Sequence, residues 1–153
     1  MKLKLGGFLA AALAIGVLAI SSAYGAHITT PTVMVKSTTI GKVLVDGKGR
    51  TLYYCTCDTS VIQCTTPNSN CPSVWPPLLV AGKPVAGAGV NPKLLGTVHR
   101  KQPPGIQVTY NHHPLYLYRN DKKPGDLKGQ AFYNTWYVLS PSGKPIEKPA
   151  PGP

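Results

Sequence analysis

The chain has 153 residues, of which 16 are Gly and 16 are Pro, about twice the combined share that is usual in globular proteins. Because Pro and Gly interrupt every stretch after the first 25 residues, a long helical or coiled-coil protein is excluded. The 42% of hydrophobic residues argues against a fully disordered chain. Lys and Arg number 16 against 5 Asp and Glu, so the protein is strongly basic. This composition predicts one small, turn-rich β domain.

The first 25 residues have the pattern of a secretory signal peptide. Two lysines precede an uncharged apolar run, Phe8 to Ile20, which is short for a bilayer-spanning helix. Small residues follow, and we expect cleavage after Gly25 or, nearly as well, after Ala23. The alternative is an uncleaved anchor. After cleavage we expect no transmembrane segment and a protein that is periplasmic or secreted.

The rest of the chain contains one pattern twice. In each copy a Tyr stands five residues before an Asp, and a Trp follows further on: Tyr53, Asp58 and Trp75, then Tyr116, Asp121 and Trp136. Such an internal repeat indicates a duplicated, pseudo-twofold domain. We therefore divide the chain into a signal peptide (1–25), an N-terminal lead (26–36), a two-repeat β domain (37–143, with repeat one at 37–80 and repeat two at 94–143) and a Pro-rich tail (144–153).

Local patterns within the repeats favour strands and tight turns. Segment 46–49, Asp-Gly-Lys-Gly, predicts a hairpin between flanking strands, and segment 111–114 predicts a second one. The predicted strands are 43–45, 51–54, 106–110, 115–118 and 135–140, and segment 91–95 is expected to form one helical turn. The fold class we expect is all-β, with two hairpin-based repeats packed as a small antiparallel sandwich or barrel. The expected core residues are Val43, Val45, Tyr53, Trp75, Val108, Leu115, Tyr116, Trp136 and Val138.

The repeats resemble a known bacterial family. The segment Tyr116-Leu117-Tyr118-Arg119-Asn120-Asp121 fits a Y-x-[FWY]-x-x-D motif in full, whereas the first copy has Cys55 where the motif prefers an aromatic residue. The motif is similar to that of the secreted repeat of unknown function, a group of predicted lipoproteins. This chain has no Cys near the expected cleavage site to accept a lipid, so it is only lipoprotein-like. The resemblance implies an exported all-β repeat module without an established activity.

The motif residues Tyr53, Asp58, Tyr116, Tyr118 and Asp121 are candidates for a structural or a binding role. In a regular strand, side chains five residues apart point to opposite faces. An Asp at a strand end commonly accepts backbone N–H bonds in the following turn. The structural role is therefore favoured, and a role in binding a ligand remains the alternative.

Four cysteines, Cys55, Cys57, Cys64 and Cys71, lie within 17 residues. In a small exported domain such cysteines most often form disulfides. A Cys55–Cys57 bridge is expected to be strained, because the two Cα atoms of such a pair lie about 7 Å apart in an extended strand. Cross-links into the 64–71 loop are easier to build, and all three pairings remain open. The family resemblance implies Cys64–Cys71, with a second bridge from the strand.

A metal site is the alternative use of the same cysteines. The Cys-x-Cys pair with two further cysteines nearby is able to hold Cu(I) or Zn(II). His27 would become the second residue after cleavage at Gly25, a position suited to copper. In this alternative the protein is an extracytoplasmic copper- or zinc-binding or electron-transfer accessory. Under the disulfide hypothesis we expect no cofactor.

The sequence favours a non-enzymatic protein. It contains no Ser–His–Asp pattern, no Gly-rich phosphate loop and no paired-carboxylate signature, and its few acidic residues leave few candidates for general acid–base catalysis. We expect a binding or structural module of the bacterial cell envelope. Its expected partners are an envelope or extracellular protein or an anionic surface, and export makes nucleic acid an unexpected partner despite the basic charge.

Overall fold

The computed structural model describes residues 32–59, 61–65 and 69–150. The predicted signal peptide and His27 lie outside the described residues. The described part contains nine short strands and one four-residue helix. In chain order they are β1 (Val33–Thr38), β2 (Gly41–Asp46), β3 (Tyr53–Cys55), α1 (Cys71–Val74), β4 (Leu79–Val80), β5 (Leu95–Lys101), β6 (Pro104–Tyr110), β7 (His113–Pro114), β8 (Trp136–Leu139) and β9 (Pro145–Ile146).

The strands form three antiparallel sheets. β1 pairs with β2, β8 lies between β3 and β9, and β6 lies between β4 and β5 while also pairing with β7. The all-β prediction is confirmed. Of the two packings that we expected, the closed barrel is not formed by the described residues, whose sheets remain open.

A pseudo-twofold arrangement relates the two repeats. The N–H of Tyr53 donates to the carbonyl of Tyr116 (2.8 Å), and the N–H of Tyr116 donates back to the carbonyl of Tyr53 (2.8 Å). Around this pair, β3 of repeat one pairs with β8 of repeat two. In the same way, the N–H of Leu117 in repeat two donates to the carbonyl of Pro76 in repeat one (2.8 Å). Each repeat therefore completes the sheet of the other.

Two clusters of buried side chains form the core. One contains both tryptophans with Tyr53, Tyr116 and Tyr118, and the other surrounds Val108 and Tyr110. All nine residues that we expected in the core are buried: Val43, Val45, Tyr53, Trp75, Val108, Leu115, Tyr116, Trp136 and Val138. Removing this apolar surface from water is the main driving force for the fold.

The second hairpin forms, but its turn is shorter than predicted. β6 turns through Asn111 and His112, whose φ angles are 47° and 68°, and returns as β7 through His113 and Pro114, which we expected to lie in the turn. Two consecutive positive φ angles are the mark of the tight turn that matches the twist of hairpin strands. The predicted strand at 115–118 is replaced by a single bridging residue, Tyr116.

The first hairpin differs from the prediction. Its turn forms, and the N–H of Leu52 donates to the carbonyl of Leu44 (3.0 Å), but the regular partner of β2 is β1. β1 begins at Val33, within the segment that we treated as a lead. At the other end, β9 pairs with β8 although it lies in the segment that we treated as a tail. The sheets thus use residues on both sides of the repeat domain as we bounded it.

The position of the short helix also differs from expectation. Segment 91–95 forms a turn rather than a helix, closed by a bond from the N–H of Leu94 to the carbonyl of Asn91 (3.1 Å). Helix α1 lies instead directly before Trp75, and Pro72 stands in its first turn, where proline is well tolerated.

Candidate functional site

The motif residues form two reciprocal hydrogen bonds across the pseudo-twofold. The hydroxyl of Tyr53 donates to Asp121 Oδ2 (2.8 Å), and the hydroxyl of Tyr116 donates to Asp58 Oδ2 (2.5 Å). Each Tyr thus reaches the Asp of the other repeat, not the Asp of its own motif. We call each of these Tyr–Asp pairs a clasp.

Each Asp is placed by the turn that follows its strand. The N–H of Asp58 donates to the carbonyl of Cys55 (3.2 Å), and the carboxylate accepts the N–H of Gln63 at Oδ1 (2.6 Å). Asp121 is held likewise, since its Oδ1 accepts the N–H of Lys128 (3.0 Å). One carboxylate oxygen therefore organises the local turn, and the other joins the two repeats.

Burial and the neighbouring carboxylates keep the clasp phenols protonated. Desolvation raises the pKa of Tyr53 far above its ordinary value, and Asp121 raises it further. Desolvation and the hydrogen bond to Asp58 raise the pKa of Tyr116, against the opposing charge of Arg100. Both tyrosines are therefore donors at any physiological pH. Burial also raises the pKa of Asp121 to about 6, although its bonds to Tyr53 and to the N–H of Lys128 oppose the shift.

The two tryptophans stack at the centre of the site. Their ring centroids lie 3.9 Å apart and the planes are within 2° of parallel. Tyr53 packs edge-on against Trp75 (5.5 Å) and Tyr116 packs edge-on against Trp136 (5.2 Å), so the pseudo-symmetry extends to the aromatic rings. Tyr118, the remaining motif residue, is buried and stacks on Trp75 (4.3 Å).

Gly129 allows these rings to approach the backbone. A Cβ atom at this position would lie 2.8 Å from Trp75 Cη2 and 2.9 Å from Tyr53 Cζ. The Gly129 N–H also donates to the hydroxyl of Tyr53 (3.3 Å). The role of Gly129 was not predicted from the sequence, because a close approach of distant segments leaves no local signal.

The four cysteines form two disulfides, Cys55–Cys57 and Cys64–Cys71. The Cys64–Cys71 pair is the one that the family resemblance implied. The expectation of a strained Cys55–Cys57 bridge is wrong in its premise, because β3 ends at Cys55 and the following turn brings the two Cα atoms within 5.0 Å. That separation lies within the usual range for a disulfide.

The disulfides bear directly on the alternative metal site. No free cysteine occurs in the part of the chain that the structure describes, and thiolates are the ligands on which that hypothesis depends. Nor do the described residues bring three His, Cys, Asp or Glu side chains together in a group that could hold a metal ion. In this structure the cysteine cluster is cross-linked and does not form the proposed thiolate site.

A basic cleft lies beside the Asp121 clasp. It has a volume of about 270 Å³, and the charged side chains that line it are Arg50, Arg119, Lys122 and Asp121. Arg50 also pairs with Asp46 (2.7 Å). These basic residues are scattered along the sequence, and Arg50 belongs to repeat one whereas the other cations belong to repeat two. Their proximity follows only from the pairing of the repeats.

Arg100 is a buried cation that we did not single out from the sequence. Its guanidinium donates to the side chain of Gln107 (2.6 Å) and to backbone carbonyls, including that of Cys64 (2.6 Å). Its Cζ atom also lies 5.9 Å from the ring centroid of Tyr116. Arg100 therefore joins the β5–β6 hairpin of repeat two to the disulfide loop of repeat one. It lies between His99 and Lys101, both of which are exposed, and nothing in that sequence marks it as buried.

Comparison with known proteins identifies the family of the two repeats. The family model described as a secreted repeat of unknown function matches residues 34–79 and 97–140, more than half of the chain. No match was found among curated proteins or among solved structures. In the part of the chain that the structure describes, no helix has the length and apolar character needed to cross a membrane. The chain belongs to the family of secreted repeats of unknown function, and its two matched segments are the halves that the clasps join.

Proposed function

We propose that this protein is an exported, non-enzymatic binding or structural module of the bacterial cell envelope, which acts in the periplasm or outside the cell. The observation that carries the proposal is the use of the family motif. Each motif Asp binds a turn N–H and a Tyr of the other repeat. Residues engaged in this way join the two halves of a scaffold, which is a structural use of the motif.

The remaining aspartates support the same interpretation. Asp46 accepts the N–H groups of Lys48 and Arg50 (both 2.9 Å), and Asp126 accepts those of Lys122 and Lys123 (2.8 and 3.1 Å). General acid–base catalysis needs a carboxyl group within hydrogen-bond reach of the reacting proton. The described aspartates are instead committed to turns, which favours a module that binds over one that catalyses.

We further propose an anionic surface of the envelope as the partner of the basic face. The sequence has a formal net charge of +11, and among the described residues only Arg50 and Lys128 pair with carboxylates. The basic cleft concentrates part of this charge at the junction of the repeats. Such a cleft attracts anionic groups over roughly a Debye length.

The test is sedimentation of the oxidised protein with lipid vesicles. We expect binding to vesicles that contain phosphatidylglycerol, no binding to pure phosphatidylcholine, and weaker binding as salt is added. Replacing Arg119 and Lys122 with Ser removes two cations of the cleft and should weaken binding about tenfold or more.

The matched control removes the same charge elsewhere. Lys42 and Lys93 are exposed and do not line the cleft, so Lys42→Ser with Lys93→Ser should reduce binding less than the cleft variant does. Equal loss in the two variants would show that only net charge matters and would remove the cleft from the proposal. Equal binding to neutral vesicles would overturn the anionic partner itself.

A further inference from the structure

Strand β5 leaves one edge of its sheet without a partner strand among the described residues. It is seven residues long and pairs only with β6. Opposite Thr97, Val108 of β6 uses its backbone on its other side: its N–H donates to the carbonyl of Leu78 and its carbonyl accepts the N–H of Leu115 (both 2.9 Å). Thr97 and Val108 are therefore a non-hydrogen-bonded pair, and the N–H and C=O of Thr97 point away from β6.

The backbone of His99 faces the same free edge, because the direction alternates with a period of two residues. The side chains of Thr97 and His99 are exposed. Within the described ranges, the N–H and C=O groups of these two residues have no backbone hydrogen-bond partner outside the β5–β6 ladder. An edge of this kind is a template on which an extended peptide adds a further strand.

A groove of about 410 Å³ lies beside this edge. The side chains of Leu95, Thr97, His99 and Ile106 share one face of the hairpin and line the groove, because residues paired across a ladder lie on the same face. The other lining residues are Gly82, Lys83, Pro84, Ala86, Pro92 and Gly96. A strand added to β5 would direct every second side chain toward this groove, which gives selectivity to the backbone contacts.

The charges around the groove select the kind of segment that fits. Lys83 and His99 line the groove, Lys101 ends the strand, and all three are exposed. No carboxylate is present in the lining. A partner strand that carries both apolar and acidic residues on its groove-facing side complements the groove and its rim. A second copy of this chain is disfavoured, because it would bring together two edges that carry the same positive charges.

We propose that the β5 edge and its groove bind an extended, acidic segment of a partner protein by strand addition. The backbone of the segment bonds to the N–H and C=O groups of Thr97 and His99, and its apolar side chains enter the groove. Acidic side chains on the same face of the segment as these apolar ones lie near Lys83 and Lys101. This site is separate from the basic cleft, so the proposal stands or falls independently of binding to an anionic surface.

The decisive variant is Thr97→Pro. Proline removes only the outward N–H and leaves the β5–β6 ladder bonds intact, which is the one position in a sheet where proline is well tolerated. Thr97→Val is the matched control, because it changes the side chain and keeps the N–H. The probe is a capped peptide of two Thr-Val-Thr-Glu repeats, in which Val and Glu share one face, and its counterpart with Lys in place of Glu tests the charge preference.

We expect the acidic peptide to bind the wild-type protein and Thr97→Val, and to bind Thr97→Pro about tenfold more weakly, as the loss of one hydrogen bond and the added ring require. The peptide with Lys in place of Glu should not bind. Equal affinity for Thr97→Pro, equal binding of both peptides, or no binding of either would overturn the proposal.

Amide hydrogen exchange of the wild-type protein supplies a second measurement that does not depend on how the variant folds. The amides of Thr97 and His99 should exchange quickly alone and become protected with the acidic peptide. Protection of the Arg119 and Lys122 region without protection of β5 would assign the peptide to the basic cleft and refute the edge site. Dimerisation through β5 in the absence of peptide would also refute it, since the edge would then serve a second copy.

Discussion

The two clasps have the same hydrogen-bond geometry, but different interactions support them. In repeat one, the turn from Asp58 to Gln63 lies between the Cys55–Cys57 and Cys64–Cys71 disulfides. In repeat two, the corresponding turn runs from Asp121 to Lys128, is two residues longer and contains no cysteine. It is braced instead by hydrogen bonds to the carboxylate of Asp126.

The difference is clearest at two pairs of equivalent positions. Cys55 and Tyr118 each accept the N–H of the motif Asp of their own repeat, and Cys71 and Phe132 each accept the N–H of the following Trp. In repeat two these positions hold aromatic rings whose centroids lie 5.5 Å apart. In repeat one they hold disulfide-bonded cysteines. Cross-links and aromatic packing thus support the same backbone arrangement by different means.

The largest expected loss of stability comes from disrupting the tryptophan stack, to which both repeats contribute. Trp75→Ala should reduce the free energy of unfolding by about 3–5 kcal/mol, because it removes a buried ring at the centre of the stack. Trp136→Ala should cost less, since Trp75 also packs on Tyr118 and Phe132. Urea unfolding of the oxidised proteins measures both. Tyr133→Ala is the control, because Tyr133 is 86% exposed; a loss there as large as that of Trp75→Ala would contradict the central role of the stack.

Removing one disulfide should destabilise the Asp58 turn of repeat one and leave the Asp121 turn of repeat two protected. Replacing Cys64 and Cys71 with Ser opens a short loop and should cost about 2–3 kcal/mol. Hydrogen exchange should show faster exchange of the Gln63 amide, which bonds to Asp58, while the Lys128 amide, which bonds to Asp121, keeps its protection. If both amides lost protection together, the clasps would be one cooperative unit and the contrast between the repeats would not extend to their stability.

The sequence predicted the features that depend on local signals. The strand at 106–110 and the existence of a turn after it follow from local residue patterns, and the buried status of Trp75 and Trp136 follows from their apolar character. The pairing of β3 with β8 was not predicted, because the partners are about 80 residues apart and strand pairing at that distance leaves no mark in either segment.

The clasps show the same limit. The Tyr-x4-Asp spacing suggested that Tyr and Asp of one motif do not meet, but it did not reveal that each meets the other repeat. The expected distance between the Cα atoms of Cys55 and Cys57 was wrong for a related reason. It assumed that the strand continues through Cys57, and the point at which a strand ends depends on which segment pairs with it.

Removing the clasp hydroxyls tests whether the two bonds are equivalent. Tyr53→Phe should cost about 2–3 kcal/mol, because the hydroxyl both donates to Asp121 and accepts the N–H of Gly129. Tyr116→Phe should cost about 1–2 kcal/mol, because its hydroxyl donates to Asp58 and has no counterpart of the Gly129 bond among the described residues. Thermal and urea unfolding at neutral pH measure the difference. Equal losses would mean that the Gly129 bond contributes nothing.

Stability should depend on pH with opposite signs at two carboxyl groups of one turn. Burial raises the pKa of Asp121 from 3.8 to about 6, so the folded protein holds a proton that the unfolded chain releases. The stabilising contribution of Asp121 is therefore complete below about pH 4 and is lost as the pH rises through 6. Hydrogen bonds from the N–H groups of Lys122 and Lys123 lower the pKa of Asp126, so its contribution is present above about pH 4 and is lost in acid.

Two Asn variants separate these contributions. The free energy of unfolding of the wild-type protein minus that of Asp121→Asn should fall between pH 4 and pH 6, because only the wild-type protein titrates at this position. The same difference for Asp126→Asn should instead rise as the pH increases from strongly acidic values. Curves with the same sign would contradict the assignment. Opposite signs would show that the buried carboxyl of Asp121 makes the fold more stable at low pH. The exposed carboxyl of Asp126, which braces the same turn, would make the fold less stable there.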